Sequence, residues 1–216
     1  MKKEHLKYIH QHMDRIGRRD RVFLNNPVVM QGIGLTPVVA AAVNLQNAAV
    51  LSMMVILMLT LTRVLAALIC RTSFVGLRAV IYTSISTVVY LGAVFVTQLV
   101  FGGSLLQSIG IYLPLLIIDP IIIKRYVRPQ KEKVSTALYK GVLTTVGFVL
   151  VILLVGALRE LLGTGTLFGF KIFSDAPIPI AQMAAGGFIV MGLVAAIWRS
   201  LANLFKKHVN MGVKKL

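Results

Sequence analysis

The chain has little of what usually builds a chemical site: one cysteine, four histidines and seven acidic residues among 216. A lone Cys70 excludes an intrachain disulfide, and at the end of an apolar run its ordinary role is that of a small apolar side chain. His5, His10, His12 and His208 all lie outside the apolar runs. His10-x-His12 has no cysteine or carboxylate cluster beside it to complete a metal site. Serine, histidine and acidic residues are not grouped as nucleophilic catalysis requires. Gly163-Thr164-Gly165-Thr166 resembles a fragment of a phosphate loop, but no Lys-Ser/Thr follows it and no strand precedes it. The first 22 residues are too polar for an apolar signal-peptide core, so no cleavable leader is expected. Instead Leu6, Ile9, Met13 and Ile16 fall on one face of a basic amphipathic helix, suited either to the inner leaflet or to a docking partner.

What the chain has in abundance is apolar sequence. Its hydrophobic share is 57%, against about 45–50% for soluble domains, and its mean hydropathy is +0.83. A membrane crossing needs roughly 20 apolar residues, and six runs qualify: 27–43, 48–70, 79–101, 105–123, 141–158 and 178–202. The net charge of +16 is distributed by side. If there are six crossings, 20 of the 23 Lys and Arg fall on one face, only Arg159 and Lys171 fall on the other, and Arg63 lies within the second run. By the positive-inside rule both termini are cytoplasmic. A polybasic face beside anionic lipid accounts for the charge without nucleic acid.

The six runs are read as two sets of three, with a charged link at 125–140 that follows the fourth run. An odd number of crossings per half reverses the orientation of the second, which makes an inverted repeat. The two halves share a short echo: Gln31, Ile33 and Gly34 recur as Gln107, Ile109 and Gly110 at an offset of 76, and Pro37 has a near-counterpart in Pro114. Glycine and proline interrupt the first and fourth runs at Gly32, Gly34, Pro37, Gly110 and Pro114. Unwound backbone inside a bilayer is tolerated where it lines a cavity or a cofactor, so these breaks are the first candidate site. Buried charge is the second. Arg63 and Asp119 lie about 15 and 14 residues from the outer ends of spans two and four, at similar depth in the inner half. They form an ion or proton site, or else Arg63 snorkels to the inner interface and Asp119 caps a broken helix ahead of Pro120. Arg159-Glu160 reads as an interfacial anchor with a neighbouring counter-charge.

Asn25-Asn26-Pro27-Val28-Val29-Met30-Gln31-Gly32-Ile33-Gly34-Leu35-Thr36-Pro37 resembles the string N-N-P-x-[LV]-V-Q-x-L-G-L-C-P of the Rnf/Nqr family of membrane electron-transport subunits. Leu158-Arg159-Glu160-Leu161-Leu162-Gly163-Thr164-Gly165-Thr166-Leu167-Phe168 resembles its L-R-E-I-I-G-x-G-T-L-F, and 111–121 follows its frame F-I-P-L-I-V-T-N-C. The likeness is to the RnfE/NqrD-like branch and covers nearly the whole chain. It implies a scaffold in which this subunit and a paralogous membrane subunit (RnfA/NqrE-like) each supply two thiolates to a midplane [2Fe–2S] cluster. Here the matching positions hold Thr36 and Pro120, with Asp119 at the family's asparagine.

The expectation is therefore an all-α integral membrane protein of six transmembrane helices in a 3+3 inverted repeat, with spans one and four broken. Its divisions are a cytoplasmic amphipathic segment 1–24, a membrane domain 25–203 with halves 25–123 and 135–203, and a basic cytoplasmic tail 204–216. The resemblance implies a non-catalytic subunit of a complex in a bacterial or archaeal plasma membrane that couples redox to ion translocation, with no cofactor held by this chain alone. The competing class is a divergent secondary transporter or ion-binding membrane subunit.

Overall fold

The computed structural model describes residues 12, 17, 20–69, 77–119, 122 and 133–214. The amphipathic pattern at Leu6 to Ile16, Cys70, Pro120 and most of the link between halves lie outside them. Four of its helices are long and apolar enough to cross a membrane: α1 (Leu45–Ile69), α2 (Arg78–Phe101), α5 (Val134–Thr164) and α6 (Ala184–Lys214). Two shorter helices, α3 (Gly103–Ile109) and α4 (Tyr112–Leu115), lie between α2 and α5.

Composition explains why these stretches are helical and why they end where they do. In α2 the apolar residues run all round, so Val88, Leu91, Phe95 and Leu99 remain 64–72% exposed on a face that hydrocarbon, not water, suits. Gly102 stops α2 at φ +82, its N–H reaching Gln98 O at 2.9 Å. Gly165 stops α5 in the left-handed conformation and bonds Leu161 O at 3.2 Å. At 31 residues α5 is about 46 Å long. It absorbs the part of the expected link beyond Lys133.

The fold is mostly helical, but the expectation of helix alone needs correction. Beyond Gly165, strand β1 (Thr166–Leu167) pairs antiparallel with β2 (Phe170–Lys171), Thr166 opposite Lys171. Phe168 and Gly169 form the turn, at φ +55 and +84. Two positive φ values make the tight connection that matches strand twist, and Gly169 makes it cheap.

Helix α1 is the hub, packing against both α2 and α5. It approaches α5 closely because α5 offers no side chain at the contacts: a Cβ on Gly156 would lie 2.6 Å from Ala48 Cβ, and one on Gly141 3.3 Å from Arg63 Cδ. Small residues let backbones in a lipid setting gain dispersion contact that no hydrophobic effect supplies there. On the other flank, Thr97 Oγ1 of α2 donates to Met54 Sδ at 3.3 Å. Helix α6 is held chiefly through the 3-10 turn Pro179–Gln182 and the turn Pro37–Ala41.

Residues 20–34, ahead of the helical turn that precedes α1, are neither helix nor loose loop. The Asp20 carboxylate accepts N–H bonds from Val22, Phe23 and Leu24. Fully buried Asn26 donates to Val22 O and to Gly147 O of α5, the latter at 2.7 Å, while its Oδ1 accepts from Val28 and Val29. From the far side, Trp198 Nε1 reaches Phe23 O at 3.0 Å and Arg199 Nε reaches Val29 O at 3.1 Å. Residues 20–30 are thus fastened between α5 and α6.

Candidate functional site

Two interrupted segments meet beside α1. In the first, Gly32 and Gly34 adopt φ +67 and +74, and Pro37 opens a π-helical turn, Pro37–Ala41. A Cβ on Gly34 would run into the Phe148 ring of α5, so this position needs glycine for space as well as for φ. Thr36 precedes the turn with an exposed side chain that makes no capping bond. In the second segment, Gly110 ends α3 at φ +57. Then come α4, which contains Pro114, and a 3-10 turn, Leu116–Ile118. The turn Pro37–Ala41 contacts α4, which brings the two interruptions together. Gly34 and Gly110, related by the offset of 76, both have positive φ; Gly34 is buried, whereas Gly110 and Pro114 are exposed.

Asp119 closes the 3-10 turn in an extended conformation, its N–H on Leu116 O at 3.3 Å and its carbonyl accepting from Ile122 at 2.9 Å. Both Asp119 and Arg63 are 7% exposed. Arg63 lies on α1 with its stem against Gly141 of α5, whereas the turn ending at Asp119 packs on α2.

The breaks are organised by two residues whose sequence context suggested an interfacial pair. Arg159 is fully buried in α5 and directs its donors to five backbone carbonyls. Its Nε bonds Ala181 O at 2.9 Å, Nη1 bonds Val39 O at 2.6 Å and Ala42 O at 3.2 Å, and Nη2 bonds Gln182 O and Met183 O at 3.1 and 3.2 Å. A guanidinium has five N–H donors, and here each has an acceptor. Met183 O also accepts from Gly187 N at 2.9 Å; the other four carbonyls lie where the helices are interrupted, so one side chain serves both the end of the first break and the turn leading into α6. Gly187 leaves the room: a Cβ there would sit 3.0 Å from Arg159 Cζ.

Glu160 does the complementary job for N–H groups. Its Oε2 accepts from Leu45 N, at the start of α1, at 2.8 Å, and its Oε1 accepts from Gly169 N and Thr166 Oγ1 at 3.1 and 3.2 Å. A carboxylate at a helix N-terminus is favoured by the exposed amides and the dipole. The signal for both roles was the adjacency of Arg and Glu inside a long apolar run.

A model of the Rnf-Nqr membrane-protein subunits matches residues 18–195. This chain belongs to the Rnf-Nqr family. Among its curated relatives are proteins named as the E-type subunit of an ion-translocating oxidoreductase complex. The one from Shewanella sp. (strain W3-18-1) is 30% identical over 201 residues, 85% of this chain and 86% of the relative. That from Buchnera aphidicola subsp. Acyrthosiphon pisum (strain 5A) is 30% identical over 212 residues, 91% and 93%. That from Shewanella oneidensis is 32% identical over 189 residues, 80% and 81%. The matched stretch of this Rnf-Nqr subunit includes both interruptions and the Arg159-Glu160 pair. Among its described residues no three His, Cys, Asp or Glu side chains gather as metal ligands.

Proposed function

We propose that this chain is the membrane subunit of an electron-transport complex that couples a redox reaction to ion translocation. The observation carrying this is the family match over 18–195, together with relatives that are named as subunits of an ion-translocating oxidoreductase complex and align over most of their length. The partner is a paralogous membrane subunit, and the exposed side of the two interruptions, including Thr36, Gly110 and Pro114, is the surface available to it.

The six-crossing reading belongs to the same proposal. Each half then runs as interrupted segment, helix, helix: 27–43 with α1 and α2, and 103–119 with α5 and α6, which moves the boundary between halves from the charged link to Gly102. The charge distribution supports an inverted arrangement with both termini cytoplasmic.

A [2Fe–2S] cluster does not fit the donor set of this chain. Thr36 offers only a hydroxyl, proline at 120 offers no donor at all, and iron–sulfur clusters of this kind require thiolates. We assign this subunit a scaffold role at the interruption, with Asp119 and Arg63 as its candidate ion or proton residues. The test is iron analysis and EPR on the complex purified through a tag on this chain. The expected result is no cluster whose signal responds to changes at Thr36 or Cys70. A [2Fe–2S] signal altered by Thr36→Val or Cys70→Ser would contradict the reading. Uptake of an ion or solute by vesicles containing this chain alone would favour the transporter alternative.

A further inference from the structure

Serine and threonine hydroxyls on helices in apolar surroundings ordinarily fold back onto the carbonyl three or four residues earlier. Ser52, Thr60, Thr83, Thr87 and Thr144 all do so here. Three others do not. Thr62, Ser86 and Thr145 are 1%, 0% and 4% exposed, and their oxygens have no hydrogen-bond partner among the described residues. Each is turned off its own helix into the bundle.

Helix register brings the three to one level. Gly156 faces Ala48 and Gly141 faces Arg63, so Thr145 lies opposite the turn of α1 that holds Met58 and Leu59. Thr97 of α2 on Met54 sets Ser86 beside the turn that holds Leu65. Thr62 lies between those turns. Along α1 the layer spans about seven residues, roughly 10 Å, toward the end of the bundle from which Ile69, Arg78 and Val134 emerge. Ser86 shares the stripe of α2 that includes Thr97, and Thr145 shares the stripe of α5 that includes Gly141 and Gly156, so both face α1.

We propose that these hydroxyls line a buried hydration layer around α1, occupied by ordered water. A buried polar oxygen without a partner is costly, and native interiors relieve that cost with internal water where polar groups converge. The stem of Arg63 packs on Gly141 at the same level of α1, and a positive charge on that turn argues for neutral water over a metal cation as the occupant. Helix register alone places this layer, which is expected whichever redox partner the complex uses.

Two methionines allow a test without any substitution. Met58 and Met54 are both 0% exposed and one helical turn apart. Met58 lies on the turn of α1 opposite Thr145, whereas Met54 accepts the satisfied hydroxyl of Thr97. Synchrotron radiolysis splits water where it is bound, so in native membrane vesicles Met58 is expected to oxidise several-fold faster than Met54, as read by mass spectrometry. Thr145→Val, which keeps the shape and removes the hydroxyl, should bring Met58 down toward the Met54 rate. Equal rates in the unsubstituted protein, or a difference that Thr145→Val leaves intact, would overturn the proposal.

Discussion

Replacing Arg159 tests how the interrupted segments are held. The side chain is fully buried and bonds five carbonyls of Val39, Ala42, Ala181, Gln182 and Met183. Arg159→Met keeps much of the volume, removes all five bonds and leaves only Met183 O with a donor, the Gly187 N–H. Measured hydrogen bonds between membrane helices average about 0.6 kcal/mol, which sets a floor near about 3 kcal/mol for five. Unsatisfied buried acceptors in proteins generally cost about 1–3 kcal/mol each, so the loss lies between about 3 kcal/mol and the whole stability of a typical domain. Arg159→Lys retains the charge with three donors, loses at least two of the five bonds, and should cost about 1–4 kcal/mol. The assay is denaturant or thermal unfolding of the purified chain in nanodiscs, with expression level as the readout if the Met variant does not accumulate. The expected order is wild type, then Lys, then Met. A Met variant within about 1 kcal/mol of wild type would refute the clamp, because it would mean that water or backbone adjustment satisfies those carbonyls as well as the guanidinium does.

Gly34→Ala combines an unfavourable φ with a clash against Phe148, and a double-mutant cycle with Phe148→Leu should recover the steric part of the loss but not the conformational part. Asn26→Ala removes the bond to Gly147 O that fastens residues 20–30 to α5, and with it one donation and two acceptances that hold the segment's own shape. The only tryptophan, Trp198, reports on that segment through Phe23, so its fluorescence should shift to the red, and an unchanged spectrum would count against the docking. Gly156→Val should push α1 from α5 and destabilise by more than about 1–3 kcal/mol, the usual cost of overpacking, whereas wild-type stability would show that the contact is loose. If Asp119 and Arg63 act as one site, Arg63→Gln should rescue ion coupling lost in Asp119→Asn; no rescue, with Arg63→Gln alone harmless, would remove the pair.

The four long helices were legible because their apolar runs exceed the length that a soluble strand or turn would use. Their ends were less so: α5 gains residues at both ends because a mixed polar and apolar stretch such as Val134–Lys140 can continue a helix that the membrane criterion cuts short. The roles of Gly34 and Gly110 were suggested by glycine and proline punctuation, but which one needs room as well as φ depends on Phe148, remote in sequence. Arg159 and Glu160 were visible as charges at the outer end of an apolar run, but their inward bonds to the interrupted segments were not. Apart from the Thr166 hydroxyl, their partners are backbone groups from residues 39–45, 169 and 181–183, and backbone atoms leave no residue-type signature to read. The short ribbon at Thr166–Lys171 was missed for the opposite reason, since two-residue strands carry no periodicity.

The most direct test of the central claim is reconstitution of the complex that co-purifies with this chain into sealed vesicles, with ion uptake followed on addition of NADH or reduced ferredoxin. The expected result is uptake that starts with electron donor and disappears when this subunit is left out. Donor-driven uptake that persists without the subunit, or uptake by the subunit alone with no donor present, would contradict it.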